Sequence, residues 1–316
     1  MKTLYPLIEP YRVYFLSTES QHLVYIEESG NPQGIPILFL HGGPCSGTKP
    51  DHRCFFNPQS YRIILMDQRG CGLSHPFGEL KHNTTQYLIE DIEQLRQKLA
   101  ISQWILFGGS WGATLALLYA QTYPQFVQAM ILRGVFLARK QDGDWFLNEG
   151  VNRIYPELWQ QLIESVPHPK YNQLLDNLCD GLWGNDELTQ RRVAKAWLNW
   201  GAQVALGKDY QSRFDSEFIT EKLLKQVGME LHYAQHHYFI REQQILKYTA
   251  KICHIPTILI HGRYDLVCPI ESAVTLHKHL SDADFRILPN SAHIARGDEM
   301  IDALISATDQ FAQQFQ

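Results

Sequence analysis

A mostly parallel, doubly wound α/β sheet carrying a helical insertion is the fold that this 316-residue sequence predicts, and three observations predict it. Short, continuously apolar runs recur at Ile37-Leu38-Phe39-Leu40, Ile63-Ile64-Leu65-Met66, Trp104 to Phe107, Ala129-Met130-Ile131-Leu132 and Thr257-Ile258-Leu259-Ile260, each closed by Gly, Asp, His or Arg. Runs without polar alternation suit strands buried on both faces, as in a parallel sheet. Amphipathic stretches such as Thr84 to Leu99 and Ala113 to Tyr123 lie between them, so strand and helix alternate. The alternation then stops at Arg133-Gly134 and resumes only at Ile255-Pro256.

Taken in order, the first elements are an antiparallel pair, Tyr11 to Leu16 and Leu23 to Glu27, joined by a polar turn around Ser20 and Gln21. The parallel strands follow. The interruption holds five of the seven tryptophans (Trp145, Trp159, Trp183, Trp197, Trp200) and reads as helices broken at Pro156, Pro167, Pro169, Gly181 and Gly207. It is too apolar and aromatic for a linker, so residues 135–251 are expected to form a helical cap on a core of residues 1–134 and 252–316. A last strand, Phe285 to Leu288, closes the sheet.

Composition narrows the function classes. With 45% apolar residues the chain has ample material for a core, and a formal net charge of −5 without blocks of like charge offers no face for nucleic acid or a membrane. The N-terminal residues lack the apolar stretch of a signal peptide, and no apolar run is long enough to cross a bilayer, which reads as a soluble cytoplasmic protein. The six cysteines contain no C-x-x-C pair and read as isolated thiols in a reducing compartment. His232, His236 and His237 lack a third ligand of suitable spacing, so neither a metal nor another cofactor is expected.

The chemistry starts at Gly108-Gly109-Ser110-Trp111-Gly112, between an apolar strand and a helix-favouring stretch. A serine on a sharp strand-to-helix turn stands clear of the sheet edge, and the helix after it brings its positive end to where an oxyanion would form. A serine hydroxyl needs a base, and the base needs an acid to fix its tautomer. Asp265, in the loop after the 257–260 strand, and His293, after the last strand, complete the order Ser, Asp, His. His41-Gly42-Gly43-Pro44 follows the strand ending at Leu40; the N–H of Gly43 there and that of Trp111 are the expected oxyanion donors. Asp67-Gln68-Arg69-Gly70-Cys71-Gly72-Leu73-Ser74 reads as a turn scaffold for that glycine loop, and Cys45 and Cys268 as thiols close to the site that take no part.

Together with Leu132-Arg133-Gly134-Val135-Phe136 and His261-Gly262-Arg263-Tyr264-Asp265, these motifs resemble the proline iminopeptidase family of α/β-hydrolases over nearly the whole chain. The resemblance implies an enzyme that cleaves an N-terminal proline from a short peptide through an acyl-enzyme. It also implies Phe136 and Phe146 as a wall around the prolyl ring, with Trp200, Gln235 and Tyr238 in the same pocket. Members of the family carry Trp-x-x-Trp-Glu and a Glu two residues before His-Tyr-Phe, two carboxylates that hold the charged imino group. This chain has Trp197-Leu198-Asn199-Trp200-Gly201 and Gln235-His236-His237-Tyr238-Phe239 instead. Either another acid, Glu149 or Glu230, anchors the amine, or the substrate is not an ordinary free-amine peptide. The alternative is an esterase or amidase on the same scaffold; a silent ligand-binding protein is disfavoured by the intact triad order.

Overall fold

The computed structural model describes residues 1–170, 173–210 and 219–316. Eight strands form a single sheet: β1 (Arg12–Ser17), β2 (Leu23–Gly30), β3 (Ile35–Leu40), β4 (Tyr61–Met66), β5 (Trp104–Gly109), β6 (Val127–Arg133), β7 (Thr257–Gly262) and β8 (Asp284–Leu288). Their order is β1-β2-β4-β3-β5-β6-β7-β8. The pairs β1/β2 and β2/β4 are antiparallel and every other pair is parallel. β5 and β7 run on into Gly109 and Gly262, beyond the apolar runs, because their ladders to β6 and β8 continue there. Glycine has no side chain to signal a strand, so the runs alone end too early.

The uninterrupted apolar runs have a simple cause. Leu38, Leu40, Ile64, Met66 and Leu106 face one cluster, while their neighbours Ile37, Phe39, Ile63, Leu65, Ile105 and Phe107 face another. Helices α1 (Thr85–Lys98) and α2 (Trp111–Thr122) cover the first side.

Between β6 and β7 come α3 (Lys140–Leu147), α4 (Pro156–Glu164), α5 (Leu174–Trp183), α6 (Glu187–Leu206), α7 (Glu221–Gln235) and the short α8 (Gln244–Lys247). Helices α3 to α7, with described residues between them such as Val151, Val166 and Ile219, build a hydrophobic cluster of their own, including Leu162, Leu178, Val193, Trp200 and Leu231. Pro156 is the first residue of α4, where its missing N–H costs nothing. Pro167 and Pro169 separate α4 from α5, and Gly207 ends α6 at φ +56°. The break expected at Gly181 is absent: Gly181 is inside α5, where an added Cβ would lie 3.0 Å from Val193 Cγ2 of α6. Its small size serves helix–helix packing, and α5 stops at Gly184. Asp186 and Thr220 cap α6 and α7 by accepting the N–H groups of Leu188 and Leu223.

After β7, α9 (Ile270–His279) packs on the face already covered by α1 and α2, and α10 (Asp298–Phe315) covers the opposite one with Met300, Leu304 and Phe311. No helix among the described residues is long and apolar enough to cross a membrane.

Candidate active site

β5 ends directly in the serine turn. Ser110 has φ 56° and ψ −123°, a left-handed conformation that costs a non-glycine residue on the order of 1–3 kcal/mol. The surroundings hold it there: its N–H donates to the Arg133 carbonyl at 2.9 Å, and its carbonyl accepts the Ala113 N–H at 2.9 Å as α2 begins. Close packing sets the tightness of the turn. A Cβ on Gly112 would lie 2.0 Å from the Leu40 carbonyl oxygen, and one on Gly108 2.3 Å from that of Gly112. Only glycine lets α2 start against the end of β3.

Asp265 and His293 arrive from the neighbouring strand ends. His293 Nδ1–H donates to Asp265 Oδ2 at 2.7 Å. Asp265 Oδ1 accepts the N–H groups of Val267 and Cys268 at 3.0 and 2.8 Å. Burial works against the charge of this carboxylate, but His293, His261 and the Cys268 N–H outweigh it and hold its pKa below the ordinary aspartate value. His261 accepts the Val135 N–H through Nδ1 and donates from Nε2 to the Cys268 carbonyl, which fixes it as a neutral ring. Burial also lowers its pKa. Arg133 donates from Nη1 to the His293 carbonyl at 2.6 Å, and its own carbonyl takes the Ser110 N–H, so one residue braces both the serine turn and the histidine loop.

The glycine loop is tied to the same turn. A Cβ on Gly42 would lie 3.4 Å from Ser110 Cβ, and the backbone N–H groups of Gly43 and Trp111 have no acceptor among the described residues. Gln68 bridges the two sides: its amide donates to the His41 carbonyl at 2.9 Å, accepts the Trp111 indole N–H at 2.8 Å, and its backbone N–H donates to His41 Nε2 at 3.0 Å. Asp67 accepts from the Thr48 backbone and hydroxyl and from the Leu73 N–H, joining the glycine loop to the 67–74 turn. Arg69 is turned away, paired with Asp91 of α1.

A cavity of about 1350 Å³ opens over this constellation. Ser110, His293 and Gly43 line its floor side, with Phe136, Phe146, Gln235 and Tyr238 among the residues from the 135–251 segment. Tyr238 stacks on Trp111 at 5.5 Å and meets Phe136 edge-on at 4.9 Å. Trp200 is a correction: it is 1% exposed, outside the cavity, and packs behind Phe146 at 6.1 Å. The face of α6 that reaches the cavity carries Trp197, Leu198, Gly201, Ala202 and Ala205, and Trp200, one residue and about 100° of helix before Gly201, falls outside that face and into the helical cluster. Glu149 is exposed and also outside the cavity, whereas Glu230 lines it.

Cys268 lines the cavity at 2% exposure, and burial pushes its thiol well above the usual range. Cys45 is outside the cavity, its Sγ directed at the Gly70 carbonyl. His232 and His236, 4.5 Å apart, pack with Phe239 in an aromatic cluster.

With the geometry in place, comparison with known proteins assigns the family. Residues 35–299 match the alpha/beta hydrolase fold family. The chain is 40% identical to a protein named probable proline iminopeptidase from Leptolyngbya boryana, over 99% of this chain and 98% of that one. It is also 40% identical to the proline iminopeptidase of Neisseria gonorrhoeae, over 97% and 98% of the two chains. The chain belongs to the proline iminopeptidase family of α/β-hydrolases. A plant member, the proline iminopeptidase of Arabidopsis thaliana, is 39% identical over 98% of this chain and 82% of its own. Among solved structures, VinJ matches with a TM-score of 0.66 at 17% identity, covering 98% of this chain and all of that one. An esterase from Exiguobacterium antarcticum matches at 0.63 and 18%, covering 95% and 99%. At such identities these two speak for the fold.

In this proline iminopeptidase relative, the two positions where the resemblance expects glutamate are uncharged. Gly201 lines the cavity, and a Cβ built on it would meet nothing within 4 Å. Gln235, also on the cavity, donates weakly to Asp176 at 3.5 Å. Sequence reading did not reveal the bridging roles of Gln68 and Arg133, nor Arg139, which pairs with Asp142 and reaches Glu271 of α9 at 2.7 Å to fasten the inserted helices to the sheet domain. The contacts of Gln68 and Arg133, and that of Arg139 with Glu271, depend on partners brought near only by folding.

Proposed function

We propose that the protein is a serine peptidase that releases N-terminal proline from short peptides. Ser110 attacks the carbonyl carbon of the terminal residue; His293 takes the hydroxyl proton and passes it to the leaving amine; Asp265 orients the imidazole and stabilises its cation. The backbone N–H groups of Gly43 and Trp111 receive the oxyanion, and water then repeats the sequence to release proline. Residues 135–251 act as a cap that admits short chains and excludes folded proteins, over a core of residues 1–134 and 252–316. Phe136, Phe146 and Tyr238 enclose the ring. The scattered thiols support a cytoplasmic setting.

The observation that carries the reading is the 2.7 Å Asp265–His293 hydrogen bond placed on one cavity with the strained serine of the elbow. Further support comes from the near full-length match to proteins named proline iminopeptidase. The uncharged Gly201 and Gln235 favour a second reading, an esterase or amidase of the same fold. Hydrolysis of a prolyl anilide by the wild type and by Ser110→Ala separates the peptidase from the esterase, and an N-acetyl-prolyl anilide, which lacks the charged amine, separates it from a general amidase. Turnover abolished by the substitution supports the peptidase; an anilide rate no higher than that of the variant, beside rapid ester hydrolysis, leaves only the esterase.

A further inference from the structure

A cavity that binds a cation has to present a negative charge not already neutralised by the protein. Six carboxylates line this one: Asp51, Asp142, Asp144, Asp176, Glu230 and Glu242. Asp142 is spent on Arg139 and Asp144 on Lys140. Asp51, Asp176 and Glu242 are exposed, where water and salt screen them. Glu230 differs from all five. It is half-buried on α7, and no cation lies within 4 Å of it among the described residues.

Two neutral donors hold the Glu230 carboxylate in place, the Trp197 indole N–H on Oε2 at 2.7 Å and the Gln226 amide on Oε1 at 3.1 Å. Each oxygen keeps a second acceptor site. Burial raises the pKa of the group, with Trp197 and Gln226 pulling the other way, so the charged form lacks the compensation that a cation would bring. Trp197 stands edge-on to Phe146 at 6.0 Å, which joins the carboxylate to the aromatic wall. Gly201, one helical turn beyond Trp197, leaves open space beside them.

We propose that Glu230 is the binding residue for the positively charged amine of the substrate, taking that role in a pocket where positions 201 and 235 are uncharged. The inference rests on the peptidase reading for the identity of the substrate, but its test does not need peptide cleavage. The ligand class is an α-ammonium group, primary or the secondary ammonium of a prolyl ring, on an acyl chain, and the side of the cavity at Gly201 has room for a substituent larger than a bare prolyl ring.

The test compares aryl esters of proline and of tetrahydrofuran-2-carboxylic acid, two rings of the same shape in which a charged NH2 is replaced by a neutral oxygen. The wild type is expected to favour the proline ester in kcat/KM. Glu230→Gln, which keeps the shape of the side chain, should cut that preference about 30-fold or more, mainly through KM, and leave the neutral ester within a few-fold. Glu230→Asp should retain part of the preference. Gly201→Glu introduced into Glu230→Gln, where the new side chain has space, should restore part of it. Equal losses on both esters in the isosteric variant, or a wild type without preference for the charged ring, would overturn the proposal. Failure of the peptidase reading is seen separately, as absent prolyl anilide turnover with the ester preference intact.

Discussion

The sheet-edge constellation and the helical wall above it are built in different ways. At the sheet edge, Ser110 is held through its backbone N–H and carbonyl, Asp265 by the N–H groups of Val267 and Cys268, and His293 by Asp265 and by Arg133 on its carbonyl, while a Cβ added at Gly42, Gly108 or Gly112 would lie 2.0–3.1 Å from its nearest neighbour. On the wall, Phe146, Trp197, Gly201, Glu230 and Gln235 project from helix faces, and a Cβ at Gly201 would touch nothing. The first arrangement tolerates almost no change without losing its geometry. The second can exchange charged for neutral groups while the fold persists, so recognition is free to diverge where reaction chemistry is not.

The comparison makes graded predictions. Asp265→Asn should be the most damaging, lowering kcat by about 10⁴-fold on anilides and esters alike, because the amide can no longer hold His293 in the required tautomer. Steady-state kinetics on both substrate types checks this, and a selective effect on one type would contradict a shared proton relay. Next comes Gln68→Leu, which removes the link between the His41 carbonyl and the Trp111 indole. A displaced oxyanion loop should lower kcat up to about 100-fold with KM nearly unchanged, and Gln68→Glu, which can accept from Trp111 but not donate to His41, should restore little.

On the wall, Phe146→Ala should act through KM instead, by roughly 10-fold for a prolyl substrate, with kcat close to that of the wild type. A dominant fall in kcat would mean that the wall also aligns the reacting carbonyl, and the contrast between the two regions would weaken.

A last effect concerns stability rather than rate. Burial lowers the pKa of His52 and of His232 to about 4, and also lowers those of His41 and His261. Between the ordinary value near 6.5 and these lower values the unfolded chain binds protons that the folded chain refuses. Stability should therefore fall as pH drops from about 6.5 towards 4 and be insensitive to these groups above 6.5. Thermal melts at pH 7.5, 6.5 and 5 measure this; an unchanged midpoint between 6.5 and 5 would contradict it.

Local pattern was enough for the sheet. A strand buried on both faces must be apolar at successive positions, and a nucleophile turn between β5 and α2 needs glycine where the backbones touch, so both leave marks within a few consecutive residues. The order Ser110, Asp265, His293 is equally linear. Gly181 misled for the opposite reason: a small residue that admits a neighbouring helix looks, in one dimension, like a residue that ends its own.

Folding alone decided which side of α6 meets the cavity, placing Trp197 and Gly201 on it and Trp200 behind it. It also decided that Gln68 and Arg133 become braces, and that Glu230 stands without a cation among the described residues. The physical reason is range. Strand burial and turn geometry are set by neighbours along the chain, whereas bracing, charge placement and pocket exposure depend on groups that lie 33 residues apart at Trp197–Glu230, 43 at Gln68–Trp111 and 160 at Arg133–His293.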